Sequence, residues 1–151
     1  MCLALVGCKE ETPEIPNYEL LVEIKHDSTY LEEINDKYDY KFVIIDSYED
    51  YDKYLIEQDN IEKINNVDNN FFNDYIIIAY KYSFNFYEIN ANASLAEIYI
   101  TDNTLNFSME VHENTSILDE TKLIYNHYYL YKFDRQILNK ISHLRSYFFS
   151  R

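Results

Sequence analysis

From Phe71 onward the chain strings together FFNDYIIIAYKY, FNFYEIN, LAEIYITDNTLNFSMEVH and LIYNHYYLYKF, apolar runs cut by Asn and Asp. Runs of β-branched and aromatic residues, each of strand length and bounded by turn formers, read as consecutive strands of one antiparallel sheet. The expected fold is α+β: a mostly antiparallel sheet of about six or seven strands, covered by one helix after the second strand and by a C-terminal helix.

Within that frame, Tyr18 to His26 reads as the first strand, Thr29 to Lys37 as a short acidic helix or loop, and Tyr40 to Asp46 as the second strand. Ser47 then caps a helix. Asp50 stands three residues on in place of the usual capping-box Glu, and Tyr48, Tyr51 and Leu55 mark the apolar face. Residues 58–70 are polar and irregular, with Ile61 and Ile64 as anchors of a single turn. The unbroken run Ile76, Ile77, Ile78, Ala79 inside Tyr75 to Tyr82 predicts a central strand covered on both faces. Leu95 to Thr101 and Thr104 to His112 flank Asp102-Asn103, whose side chains tolerate positive φ, so a hairpin is expected. In its second strand Leu105, Phe107, Met109 and Val111 alternate with Asn106, Ser108, Glu110 and His112, one face buried and one wet. Residues 113–121 are a loop, and Leu123 to Phe133 is the last long strand.

After Asp134 as N-cap, Ile137, Ile141, Leu144 and Phe148 recur at spacings of four, three and four, the stripe of a covering α-helix. The other reading of that stripe is a basic amphipathic helix lying on lipid.

The first residues read MCLALVGC, and Leu5-Val6-Gly7-Cys8 resembles the lipobox of bacterial lipoproteins. The resemblance implies that Cys8 carries diacylglycerol by a thioether and becomes the first mature residue. Gly7 supplies the small side chain such a box needs. No basic segment precedes the box, and seven residues are short for a full apolar leader region, which points to a start site placed too late. The competing reading makes Cys2 and Cys8 two thiols of a frayed terminus or a local disulfide. The polar KEETPEIPN that follows, with Pro13 and Pro16, has the composition of a tether. The implied organisation is a signal-peptide remnant at 1–7, a lipidated Cys8 with its tether at 8–17, and a single globular domain at 18–151. Its location would be the extracytoplasmic face of a bacterial cell membrane, with the lipid bilayer as first partner.

Charge and glycine content exclude several functions. With 27 acidic and 13 basic side chains the net charge is −14, a field that repels nucleic acid and anionic lipid. Arg135, Lys140, Arg145 and Arg151 against Asp134 give residues 134–151 a charge of +3 and leave −17 on residues 1–133, so the tail should dock on the acidic body. The one glycine is Gly7, so nothing beyond it can form a glycine-rich phosphate cradle.

The order FVIIDSYEDYDKYL, FFNDYIIIAY, LNFSMEV, YNHYYLYKF is similar to the C-terminal domain family of PrcB, a subunit associated with a surface protease complex. The resemblance spans roughly Tyr40 to Phe133 and rests on the order of strand and helix types. It implies a non-catalytic, lipoprotein-type domain with a protein partner, a protease complex among the candidates. Where that family carries a glycine pair between central strands, this chain has Tyr82-Ser83-Phe84-Asn85.

Searching for chemistry leaves few candidates. Glu110, His112 and Glu113 are the best metal set, but two ligands on a wet strand are not a site, and no metal or other cofactor is expected. Asp68, Asn69, Asn70, Asn73 and Asp74 offer oxygens without the twelve-residue calcium loop. No serine lies in a GxSxG elbow, and no cysteine follows residue 8. His127 inside YNHYY reads as a structural histidine bonded to a tyrosine rather than a general base. Tyr80, Tyr82, Phe84, Phe86 and Tyr87 are either sheet core or an aromatic patch for sugar or peptide. The expected function is therefore a membrane-anchored, non-enzymatic envelope domain that binds a protein. The second reading is a small-ligand or glycan-binding lipoprotein using the cleft between sheet and helices.

Overall fold

A computed structural model describes residues 11–28, 38–58, 61–85, 91–113 and 124–151. Among these the elements run β1 (Tyr18–Ser28), β2 (Tyr38–Ile45), α1 (Tyr48–Glu57), α2 (Phe71–Asp74), β3 (Tyr75–Asn85), β4 (Ala91–Thr101), β5 (Thr104–Glu113), β6 (Ile124–Asp134), a 3-10 turn (Arg135–Asn139) and β7 (His143–Phe149). The protein is mostly β, with few and short helices. The segments 29–37 and most of 113–121, read as helix or loop above, lie outside the described residues.

The strands form two sheets where the sequence led us to expect one. The first has four antiparallel strands in the order β1-β6-β3-β2, and the second has three in the order β4-β5-β7. They pack face to face around an aromatic core that includes Ile78, Tyr80, Tyr82, Tyr131 and Phe133 from the first sheet and Ile98, Leu105, Phe107 and Met109 from the second. On the opposite side of the first sheet Ile45, Ile77, Ala79 and Leu130 meet Tyr51 and Tyr54 of α1, Phe72 of α2, and Val67. β3 is therefore covered on both faces, as its unbroken apolar run demands, and Ile76, Ile77 and Ile78 are all 0% exposed.

Local signals held where they were strong. Ser47 caps α1: its hydroxyl accepts the Asp50 amide at 3.1 Å and donates to the Asp50 carboxylate at 2.7 Å. Asp102 and Asn103 adopt φ of 48° and 57°, the left-handed pair that a two-residue hairpin between twisted strands requires. Asp68 accepts the amides of Asn70 and Phe71 at 2.9 and 3.0 Å, so it closes the turn before α2.

The C-terminal helix is not there. Ile137 belongs to a 3-10 turn, and Leu144 and Phe148 lie on β7, which pairs in parallel with β5 from Thr104↔His143 to Glu110↔Phe149. The inward residues of β7 are Leu144, Ser146 and Phe148, at period two. Ser146 is buried because its hydroxyl lies 2.6 Å from that of Tyr80, so a polar residue occupies a core position and hides the alternation. The basic tail does dock on the body. Arg135 donates to the carbonyls of Asp46 and Phe72, both at 2.8 Å, Lys140 pairs with Glu14, and Arg151 meets Glu110 at 3.3 Å.

Residues 11–17 are not a loose tether throughout. Glu14 forms an antiparallel bridge with Ile100 at the outer edge of β4, its amide donating at 3.0 Å and its carbonyl accepting at 2.8 Å. Four residues after that bridge, at Tyr18, the chain enters β1 on the other sheet, so this strap clasps the two sheets together.

Candidate functional site

The buried aromatic system is structural. Tyr80 and Tyr82 of the suspected surface patch are 1% and 0% exposed, while Phe86 and Tyr87 lie outside the described residues, as does the side chain of Phe84. Tyr82 donates to the Ala93 carbonyl at 2.9 Å, a polar tie between the two sheets inside an apolar core, and its hydroxyl lies 3.3 Å from that of Tyr129 on its own sheet. His127 is 4% exposed and stacks on Tyr82, rings 4.6 Å apart and 9° from parallel. Burial pushes the Tyr80, Tyr82 and Tyr131 hydroxyls well above the ordinary phenol value, and Tyr54 up to about 12. At neutral pH these groups are uncharged packing and hydrogen-bonding residues.

Other sequence candidates are scattered. Glu110 faces Arg151, His112 accepts or donates a contact to Ser94 at 3.2 Å, and the Glu113 side chain lies outside the described residues. Among the described residues no three His, Cys, Asp or Glu side chains gather as metal ligands, and no helix is long and apolar enough to cross a membrane. Cys8, the expected lipid attachment, lies outside the described residues. The space between the first sheet and the helices, where a ligand cleft was expected, is filled by Tyr51, Tyr54, Val67 and Phe72, none more than 9% exposed.

Two surfaces remain. One is the set of strand edges. β1 carries a bulge between Leu20 and Val22, and β4 carries one between Leu95 and Glu97 and is bridged at Ile100 by the strap. Bulges twist an edge away from further pairing. β7 is short and bears Arg145 and the exposed His143. β2 carries no bulge: its register against β3 runs unshifted from Tyr38↔Phe84 to Ile45↔Ile77, and its charged residues, Asp39 and Lys41, lie in its first half. It ends in the uncharged Phe42-Val43-Ile44-Ile45 with Tyr40 and Ile44 40% and 41% exposed, and no described strand pairs with its outer side. Sequence reading missed this edge because a strand's place in its sheet is decided by partners distant in the chain.

The other surface is the outward face of the second sheet, where the register aligns Glu97, Ser108 and Tyr147, then Tyr99, Asn106 and Arg145. Arg145 lies over the Tyr147 ring at 5.4 Å and donates to its hydroxyl at 2.5 Å. Asn106, though 2% exposed, spends its amide on Thr101, Thr104 and Tyr99 within the sheet. No family model, no curated protein and no solved structure matches this chain.

Proposed function

We propose that this chain is a lipid-anchored, non-enzymatic envelope domain, held outside a bacterial membrane through Cys8, that binds a protein partner by adding a strand to β2. The observation that carries the reading is the β2 edge, regular, half apolar and without a described partner. Backbone groups that pair with no described strand, the Tyr40 amide alone donating to the Asp39 carboxylate at 2.9 Å, run beside exposed Tyr40 and Ile44 and offer main-chain hydrogen bonds for affinity and side-chain contacts for selectivity. The order of strand and helix types in the sequence, read above as resembling the PrcB C-terminal domain family, is the reason to seek a protease-associated protein as the first partner.

A second reading is favoured by one feature, the outward face of the second sheet. Tyr147, Tyr99 and Arg145 beside Ser108 offer aromatic rings and a cation on which a glycan could stack. Photo-crosslinking in envelopes separates the two. A crosslinker at Lys41 should capture a protein, and Ile44→Lys, which blunts the edge, should abolish that capture while the variant melts as the parent does. Capture of glycan at Tyr147 with no protein at Lys41 would replace the first reading with the second.

A further inference from the structure

The strap at Glu14 bears on how such a domain would stand on its membrane. Cys8 and Glu14 are six residues apart, so the chain between them spans at most about 20 Å. Glu14 is held by two backbone hydrogen bonds to Ile100 and by an ion pair with Lys140, which fixes where that short span begins.

That point lies at one end of the fold. There β1 begins opposite the end of β6, at Tyr18↔Phe133, and β3 begins opposite Asp134. The hairpin turns at Asp102-Asn103 beside Ile100, and the amides of Ser142 and His143 donate to the Asn103 carbonyl at 2.7 and 3.3 Å. The 3-10 turn lies at the same end, since it follows β6 directly. Strands β1, β3, β5 and β7 all lead away from it.

We propose that this end, formed by the strap, the Asp102-Asn103 turn and the 3-10 turn, is the surface that faces the phospholipid bilayer, and that the strap sets the orientation. The inference rests on the lipid anchor at Cys8 proposed above. Its occupant is a bilayer surface, because a tether of this length fixed at Glu14 leaves the domain little room to roll over. Ile15, 57% exposed beside the strap, is placed to meet the headgroup layer. The edge strand β2 would then stand upright, its Ile45 end toward the lipid and its Tyr38 end outward, open to a partner from the side.

The test separates geometry from acylation. The mass of Cys8 in protein taken from envelopes reports on the anchor alone. For orientation, full-length protein carrying Cys2→Ser is coupled through Cys8 to maleimide-bearing lipid in phosphatidylcholine vesicles, with a fluorescent residue at position 139 or at position 150. Energy transfer to headgroup acceptors should place position 150 about 20 Å farther from the surface than position 139, the rise of the six steps from His143 to Phe149. Glu14→Pro removes the amide that Ile100 accepts, and the difference should shrink. Equal distances at the two positions, or an unchanged difference in Glu14→Pro, would overturn the proposal whether or not Cys8 is acylated in cells.

Discussion

The two sheets share one core and yet were written in different patterns. β3, in the middle of the four-stranded sheet, buries every residue from Ile76 to Tyr80 because the second sheet covers one face and α1 with α2 the other. β5, in the middle of the three-stranded sheet, buries Leu105, Phe107, Met109 and Val111 and leaves Ser108 and Glu110 half-exposed. Continuous apolar runs report cover on two sides, and alternation reports cover on one. The difference shows where the molecule spends its surface: among the described residues the middle of the four-stranded sheet is covered on both faces, whereas the three-stranded sheet offers an outward face.

Truncation in the two cores gives the largest test of that contrast. Phe107→Ala, which empties the space between the sheets, should cost about 3–5 kcal/mol, and Ile77→Ala, on the helix side, about 2–5 kcal/mol. Both are read by urea denaturation. A loss below about 0.5 kcal/mol for Ile77→Ala would mean that the helix layer is not a core at all.

Alkali probes the phenols of the same two layers. Tyr54 on the helix side rises from 10.0 to about 12 through burial, and Tyr80, Tyr82 and Tyr131 between the sheets rise for the same first reason. Above pH 10 the unfolded chain releases protons that the folded chain keeps. Stability present below pH 10 should therefore fall as pH rises, by about 1.4 kcal/mol per unit for each such phenol. For Tyr54 the fall is complete near pH 12. Phenolate absorbance that rises smoothly from pH 10 without unfolding would contradict this.

Ser146→Ala sharpens the comparison within the second sheet by removing the hydroxyl that Tyr80 meets. It should cost about 1–3 kcal/mol in a thermal or urea melt, the range for leaving a buried polar group without its partner. A cost near zero would argue that Ser146 does not face the core. On the outward face of that sheet, Tyr147→Ser should change stability by less than about 0.5 kcal/mol, and a larger loss would show that this face is covered.

Much of the fold was legible in local chemistry. Ser47 caps its helix through a hydroxyl three residues from its partner, and Asp102-Asn103 turn the hairpin by their own tolerance of positive φ. Neither needs distant help. The candidate site was not legible in this way, because β2 reads like any other half-buried strand until its neighbours are known.

The sequence alone decided most of the strands and the alternation along β5, since side-chain period and turn residues act over a few positions; it missed strand β7 and set Asn106, which is 2% exposed, on the wet face. Tertiary structure decided the division into two sheets, the exposed edge of β2 and the fate of the tail. Ile137, Ile141, Leu144 and Phe148 satisfy helical spacing, and Ser146 interrupts the period of a strand. Pairing with β5 makes the segment a strand, and the Tyr80 hydroxyl, 66 residues away, meets that serine inside the core. Such partners leave no trace in local spacing, because the β5–β7 ladder and the Tyr80–Ser146 contact exist only once the two sheets have met.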